Sequence, residues 1–194
     1  MTETVLKTKR LILRKIEPAD TGDIGRILQD ENVMYAWEHP FTEEQVDNWI
    51  KENIVRYERD GYSYWAVVEK KTGSLVGVCG LIAEQAEGEN YVGIGYIFSK
   101  EHWGRGYAAE SAAGCMDYAF RVLQLDEVTA QIRPDNRSSR KVAEKLGMTV
   151  QKRFLRNYRG KDVPHLLYCR KKRTDFAPVK YREKEGLKDE YASP

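Results

Sequence analysis

Charge of one sign and long apolar runs are both missing from this sequence. Its 194 residues include 32 Lys and Arg against 30 Asp and Glu, which gives a formal net charge of +2 at pH 7. This balance offers no basis for binding nucleic acid or an anionic membrane surface. No stretch approaches the length of a membrane span, and residues 1–7 lack the apolar core of a signal peptide. We therefore expect a cytoplasmic protein with neither nucleic acid nor a membrane as its partner.

Cysteine and histidine are also scarce, with three of each scattered along the chain. These residues are Cys79, Cys115, Cys169, His39, His102 and His165. Their spacing matches no metal site, so we expect no metal. An odd number of distant cysteines in apolar surroundings favours reduced core thiols over a disulfide framework.

Periodicity and turn residues divide the chain into strands and helices without internal repeats. The predicted strands cover residues 11–13, 62–69, 74–81, 90–98, 127–132, 149–155 and 165–170. The predicted helices cover residues 18–30, the run between Thr42 and Gly61, and residues 106–122 and 138–146. Three consecutive strands, the last preceded by a polar loop, favour antiparallel pairing and an α+β fold.

The length of the chain and the lack of a linker rich in Gly, Ser or Pro indicate a single domain over residues 1–173. Residues 174–194 form a polar, charged C-terminal extension. An extension of this kind could cover a subunit surface, which keeps a homodimer open as an alternative to a monomer.

A glycine-containing loop between a predicted strand and a predicted helix is the most informative stretch of the sequence. The loop runs from Ser99 to Gly106, and the helix after it would direct unpaired backbone N–H groups at an anion. Its glycines also match a dinucleotide-binding pattern, but they lie too far from the strand, and Asp126 precedes its strand instead of ending it. A phosphate-bearing ligand and a tight turn without a ligand both remain open interpretations.

A second stretch, Asn136-Arg137-Ser138-Ser139, opens the predicted helix that ends before Gly147. Asn136 and Ser138 are both good helix N-caps, which explains them without a ligand. The order of the two stretches along the chain, however, suggests a shared function.

Together, four segments resemble the GNAT superfamily, within it the branch of ribosomal-protein N-terminal acetyltransferases. They are the opening Lys9-Arg10-Leu11-Ile12-Leu13-Arg14, the loop Trp103-Gly104-Arg105-Gly106-Tyr107-Ala108 with Glu110 after it, the pair Asn136 and Ser139, and Glu144-Lys145-Leu146-Gly147-Met148. Each segment is weak alone, but their order is specific, and the resemblance runs from about residue 6 to residue 170.

The resemblance implies a GNAT-like fold, a strongly bent mixed β-sheet with helices on both faces whose fourth and fifth strands splay apart. Acetyl-CoA is the implied cosubstrate, and it lies in the V between those strands. Its pantetheine arm pairs with the end of the fourth strand, its pyrophosphate sits on the loop amides, and the helix after the fifth strand forms the other wall. The residues implied to bind the cofactor are Ile97, Phe98, Ser99, Trp103, Gly104, Arg105, Gly106, Tyr107, Ala108, Ala109, Asn136 and Ser139.

Two residues depart from the pattern of the family. Gly93 stands where this branch often has a glutamate proposed as the general base, and Ala143 stands where many members have a tyrosine general acid. The remaining candidates for a catalytic base are Glu38, between the first two helices, and His165, at the start of the last strand. Ordered water, with catalysis mainly by positioning, is the other alternative. Each also has a structural explanation, as an exposed carboxylate and as a histidine on a sheet.

Tyr35, Trp37 and Glu38 are the candidates for a substrate-binding wall, because the helices of this region usually roof the amine pocket in the family. Their aromatic rings could equally belong to the core. Glu38 beside Trp37 would suit a cationic amine. No residue stands out as an acyl-enzyme nucleophile, since Cys115 falls on the buried face of its helix.

The sequence therefore predicts an acetyl-CoA-dependent N-acetyltransferase. Its acceptor is a primary amine, either a protein N-terminus or a small molecule, which attacks directly in a ternary complex. The alternative is a catalytically silent acyl-CoA-binding regulatory or interaction module, which the residues at positions 93 and 143 keep open.

Overall fold

Within residues 3–37, 39–158 and 160–172, which the computed structural model describes, eight strands form one mixed sheet with four α-helices packed on it. The strands are β1 (Thr4–Lys7), β2 (Leu11–Arg14), β3 (Tyr64–Glu69), β4 (Leu75–Ala86), β5 (Glu89–Phe98), β6 (Glu127–Ile132), β7 (Thr149–Tyr158) and β8 (Lys161–Lys171). The helices are α1 (Thr21–Leu28), α2 (Glu43–Arg59), α3 (Tyr107–Arg121) and α4 (Arg137–Lys145). The predicted α+β class is confirmed.

The strand order is β1-β2-β3-β4-β5-β6-β8-β7. All neighbouring strands are antiparallel except β5 and β6, which are parallel and joined by α3. Strand β1 was not predicted from the sequence, so the fourth and fifth predicted strands are β5 and β6 here.

The β4–β5 hairpin is longer than its sequence suggested. The predicted polar loop before residue 90 is wrong, because β4 runs on to Ala86 and β5 begins at Glu89. Continuous pairing from Gly77 with Phe98 to Ala86 with Glu89 holds these polar residues in the sheet. Only Glu87 and Gly88 turn the chain, both with positive φ. Strand pairing has overridden local polarity in this segment.

Helices pack on both faces of the sheet. The face that carries α3 and α4 buries small helix residues, among them Ala112, Cys115 and Ala119, and this allows close packing. The opposite face carries α1 and α2. The predicted capping box at the start of α2 is confirmed, since the Thr42 side chain accepts from the Gln45 backbone N–H and the Gln45 side chain accepts in return.

The sheet splits between β5 and β6. In the described chain these strands share a single paired position, Gly93 with Thr129, while β5 stays paired with β4 and β6 with β8. Beyond Gly93 the two strands diverge toward Phe98 and Ile132, which is the splaying that the resemblance implied. The V between them is where both cavities described below open.

The remaining predictions from the sequence concern the cysteines, metal binding, membrane spans and the C-terminal extension. Cys79, Cys115 and Cys169 are buried and free, as expected for core thiols. No group of three His, Cys, Asp or Glu side chains in the described residues could hold a metal ion. None of the helices described is long and apolar enough to cross a membrane. The predicted extension over residues 174–194 lies outside the described ranges.

Candidate active site

A cavity of about 400 Å³, here called the loop cavity, opens between the end of β5, the glycine loop and the start of α4. It brings together most of the residues that the sequence assigned to the cofactor. Those that line it are Ile97, Phe98, Trp103, Gly104, Gly106, Tyr107, Ala108, Ala109, Asn136 and Ser139. Ser99 and Arg105 lie beside this lining and are not part of it.

The glycine loop leads into α3 through two glycines with left-handed backbone conformations. Gly104 has φ 75° and Gly106 has φ 79°, and Gly106 is the N-cap of α3 without any side-chain cap. A Cβ on Gly106 would meet only Arg10 Nη2, at 3.5 Å, so dihedral strain and not crowding requires glycine there in the protein alone. The first-turn N–H groups of α3 lack acceptors within the helix and add its positive dipole end to the cavity.

Arg10 and Glu110, which belong to two separate motifs of the sequence, meet behind the loop. Arg10 donates from Nε to Glu110 Oε2 at 2.6 Å and from Nη1 to the carbonyl of Arg105 at 2.9 Å. Thr8 and the Arg10 backbone N–H also donate to the Glu110 carboxylate. Burial alone would raise the pKa of Glu110, but these hydrogen bonds outweigh it and lower that pKa. Through the hydrogen bond from Arg10 to the carbonyl of Arg105, the network holds the backbone of the glycine loop in place.

At the end of β5, some backbone groups form hydrogen bonds with β4 and others point toward the V. Ser99 N–H donates to the carbonyl of Val76 on β4 at 3.1 Å, so the N–H of the preceding residue, Phe98, points toward the V. Trp103 Nε1 donates to the carbonyl of Phe98 at 2.9 Å, and Ser99 Oγ lies 2.6 Å from His102 Nδ1. Of this stretch, the N–H of Phe98 is the group best placed to meet a ligand.

Asn136 is the N-cap of α4, so the capping explanation is confirmed for this residue and not for Ser138. Its Oδ1 accepts from Ser139 N–H at 3.0 Å, from Tyr35 Oη at 2.8 Å and from Ser138 Oγ at 3.0 Å. Because its hydrogen bonds to other described residues all use Oδ1, the amide nitrogen of this buried side chain is the group that can meet a ligand. Capping and ligand binding are therefore compatible.

A second cavity of about 280 Å³, here called the aromatic cavity, lies on the other side of the V. Its aromatic wall consists of Trp37, Phe41, Trp49 and Tyr64. Ala36, Trp37, Tyr96, Asn136 and Ser139 line both cavities, so the two meet. Of the predicted substrate wall, Trp37 borders this cavity, Tyr35 borders only the loop cavity, and Glu38 lies outside the described residues.

His165 lines the aromatic cavity from β8. Its Nδ1 lies 2.9 Å from the carbonyl of Val163, which makes Nδ1 the donor and leaves the lone pair on Nε2. Its ring packs against Phe154, with centroids 5.8 Å apart. Burial, followed by the charges of Arg156 and Arg133, lowers the pKa of His165 and keeps the imidazole neutral.

Glu84 lines the aromatic cavity as well, although it was not among the residues predicted from the sequence. It lies on β4, within the segment that was taken for a polar loop. Its carboxylate covers Gly93, where a Cβ would lie 2.8 Å from Cδ of Glu84. Ile82 and Glu84 are two residues apart and so share a face of the extended strand, and the pairing of Ile82 with Gly93 makes it the face of Gly93.

Comparison with known proteins places this geometry among acetyltransferases. Residues 10–149 match the family described as the acetyltransferase (GNAT) domain. The uncharacterized protein YkkB of Bacillus subtilis is 36% identical over 151 residues, 77% of this chain and 88% of its own length. The uncharacterized N-acetyltransferase YnaD of the same organism is 30% identical over 144 residues, 74% of this chain and 81% of its own.

Solved structures agree with these sequence relatives. A GNAT-family acetyltransferase from Bacillus anthracis has a TM-score of 0.72 at 27% identity and covers 86% of this chain and 97% of its own. The ribosomal L7/L12 α-N-protein acetyltransferase RimL, solved in complex with coenzyme A, has a TM-score of 0.73. Its 18% identity, over 87% of this chain and 98% of its own, shows similarity of fold alone.

Proposed function

The chain belongs to the GNAT acetyltransferase family, and from this premise we propose that it transfers the acetyl group of acetyl-CoA to a primary amine by direct attack in a ternary complex. The observation that carries the proposal is the meeting of the two cavities at Tyr96, Asn136 and Ser139. One cavity has groups suited to a phosphate-bearing cosubstrate, and the other has an aromatic wall and ionisable side chains. Both substrates can then be bound at the same time.

In this proposal the loop cavity holds acetyl-CoA. Its pyrophosphate lies on the backbone amides between Gly104 and Ala109, at the N-terminus of α3. The N–H of Phe98 and the amide nitrogen of Asn136 are the donors that the V offers to the pantetheine arm and the thioester. Ile97, Trp103 and Ser139 complete the walls. Ser99 and Arg105 contribute through the shape of the loop, since neither lines the cavity.

The aromatic cavity receives the acceptor amine. Attack on the thioester requires the amine to lose a proton, and the cavity offers His165 and Glu84 as groups that could accept it. Glu38, the other base predicted from the sequence, is tested together with His165 below. A covalent acetyl-enzyme finds no support at Cys115, whose pKa burial raises far above its ordinary value.

The alternative, a silent acyl-CoA-binding module, draws on position 143. Ala143 lies on α4 and is fully buried, and its methyl group can donate no proton to either cavity. The thiolate of CoA is a weak base, however, and protonating it as it leaves is not demanding. The departure at this position therefore removes little from catalysis, and we favour the enzyme.

Two measurements on the purified chain test the proposal. Acetyl-CoA should bind in a calorimetric titration and raise the melting temperature, because a ligand that binds only the folded state stabilises it. Turnover is then followed by mass spectrometry with putrescine, spermidine, lysine, kanamycin and short peptides with free N-termini. Binding with acetylation of at least one amine supports the enzyme. Binding without any acetylation favours the silent module, and no binding refutes both.

A further inference from the structure

The geometry points to Glu84 as the catalytic base, a carboxylate supplied by β4 to the space above Gly93 on β5. The inference rests on the proposed function and deepens it, because it names the group that takes the proton from the acceptor amine. The sequence offered Glu38 and His165 as candidate bases, and it has no carboxylate at position 93, where the family often places one. The carboxylate is instead provided across the strand pair.

The pairing of β4 with β5 explains how Glu84 reaches this place. Ile82 lies opposite Gly93 and Glu84 lies opposite Tyr91, and all four residues lie on one face of the sheet. The Glu84 side chain reaches from its own pair to the neighbouring pair on that face, where it covers Gly93. A Cβ on Gly93 would overlap the carboxylate, and its nearest neighbours would all be Glu84 atoms. Gly93 is not among the residues with positive φ. A Cβ at position 93 would therefore displace this carboxylate, although the backbone conformation itself would accept one.

The carboxylate also lies at the apex of the V. Gly93 pairs with Thr129, the one paired position of β5 and β6 in the described sheet before the strands part. The cavity that opens from there is lined by Glu84 together with Tyr64, Gly95 and Tyr96. Glu84 and the aromatic wall therefore line the same cavity, and that cavity meets the loop cavity at Tyr96.

Glu84 forms no ion pair with any described residue, in contrast to Asp20. The charged and titratable groups that face it are Tyr64 on β3, Arg56 on α2 and Arg156 on β7. Burial raises the pKa of Glu84, and the two arginines only partly oppose this. This half-buried carboxylate, raised in pKa and without an ion pair among the described residues, is a stronger base than a free one and attracts an ammonium group.

His165 is the weaker candidate for physical reasons. Burial lowers its pKa, and the charges of Arg156 and Arg133 disfavour the imidazolium that a base must become. Its donor bond to the Val163 carbonyl and its packing on Phe154 account for its position in the sheet.

The step balances with the residues present. The acceptor ammonium gives one proton to the Glu84 carboxylate, and the nitrogen lone pair forms the C–N bond with the thioester carbonyl carbon. The C–S bond then breaks, its electron pair stays on sulfur, and the departing thiolate takes the second proton from the attacking nitrogen. Glu84 returns its proton to solvent, so that one proton is released for each amide formed.

The first test replaces the base with its isostere, using the amine of the panel that the parental protein acetylates fastest. Glu84→Gln should lower kcat by about a hundredfold or more while acetyl-CoA affinity stays unchanged, since general bases typically contribute that much. It should also abolish the fall in kcat/KM at low pH that reports protonation of the base. Glu58→Gln, a change of an exposed carboxylate on α2, is the matched control and should keep parental kinetics.

The second test moves the carboxylate back to β5. Glu84→Ala and Gly93→Glu should each be slow alone, the second because two side chains compete for one space. The double variant Glu84→Ala/Gly93→Glu should recover kcat to within about tenfold of the parental value. If the double variant fails to bind acetyl-CoA, Glu84→Asp replaces it, with an intermediate kcat and a retained acidic limb as the expected result.

The outcomes separate the base assignment from the function itself. Parental kcat and pH profile in Glu84→Gln would overturn the assignment and leave the acetyltransferase intact. A folded double variant no faster than Glu84→Ala would overturn it as well. A parental protein that binds acetyl-CoA but acetylates no amine overturns the proposed function, and the assignment with it.

Discussion

The two cavities that meet in the V differ in how the chain builds them. The loop cavity comes mainly from two continuous stretches, residues 96–109 and 136–145, and its main features are backbone N–H groups and glycines. The aromatic cavity collects side chains from β3, β4, β5, β6, β7, β8, α2 and the segment before α2. In the proposed function, local backbone geometry therefore forms the cosubstrate site, and long-range packing of side chains forms the acceptor site.

The largest effect is expected from a substitution that alters the loop cavity and leaves the aromatic cavity unchanged. Gly106→Val should weaken acetyl-CoA binding by about a hundredfold, because a branched side chain would crowd the phosphate-facing backbone. Gly73→Val in the β3–β4 turn is the matched control, since Gly73 has φ 73° against 79° and a Cβ added to it would have no neighbour within 4 Å. Both variants should lose about 1–2 kcal/mol of stability from the left-handed conformation.

Calorimetric titration and urea unfolding of both variants separate the two effects. If Gly106→Val is folded and binds acetyl-CoA as tightly as Gly73→Val does, the glycine loop is only a turn. The assignment of the loop cavity would then fail.

A second prediction sets Glu84 of the aromatic cavity against a structural carboxylate, Asp20. Arg14 donates to both Asp20 oxygens, at 2.6 and 2.8 Å. Burial alone would raise the pKa of Asp20, but the hydrogen bonds from Arg14 and the Glu17 backbone N–H outweigh it and lower that pKa. Asp20→Asn should therefore cost about 2 kcal/mol at pH 7, and Glu84→Gln should cost nothing or stabilise slightly.

The pH dependence of these two variants has opposite signs. The lowered pKa of Asp20 gives stability that is present above its unfolded pKa and lost as pH falls through its folded pKa. The raised pKa of Glu84 gives stability that is present below its unfolded pKa and lost as pH rises through its folded pKa. Urea unfolding at pH 7 and near pH 3 measures both. Equal losses at pH 7 would mean that Glu84 is a structural residue like Asp20.

The smallest effect is expected for the bases that the sequence suggested. His165→Asn and Glu38→Gln should each change kcat by less than about threefold, since neither is assigned the proton of the amine. The pH profile of kcat/KM should keep its acidic limb in both variants. A drop of about a hundredfold in either, with acetyl-CoA affinity intact, would transfer the role of base to that residue.

The sequence predicted features that depend on local backbone geometry, but it did not predict the position of Glu84, which depends on contacts between distant residues. The loop, the N-cap at Asn136 and the Thr42 capping box depend on local backbone geometry, which short motifs encode. Glu84 became visible only through the register of the β4–β5 hairpin. The residues of β4 and β5 next to the turn are polar because this end of the hairpin is exposed. They therefore lack the apolar pattern by which strands are recognised in a sequence, and they resemble a loop.

Tyr35 is a second residue whose position the local sequence did not predict. Its place beside aromatic residues in the sequence suggested a wall for the substrate. In the structure its hydroxyl donates to the N-cap Asn136, 101 residues away along the chain, and it borders the loop cavity. Which cavity an aromatic residue joins depends on such a distant contact, and no local pattern encodes that contact.

The central claim is that the two cavities hold acetyl-CoA and the acceptor amine at the same time. The most direct test varies both substrates in initial-rate measurements on the parental protein, with the fastest amine of the panel. We predict lines that intersect in double-reciprocal plots, together with an unmodified protein mass after incubation with acetyl-CoA alone. Parallel lines and an acetylated protein would show a covalent intermediate and contradict direct attack in a ternary complex.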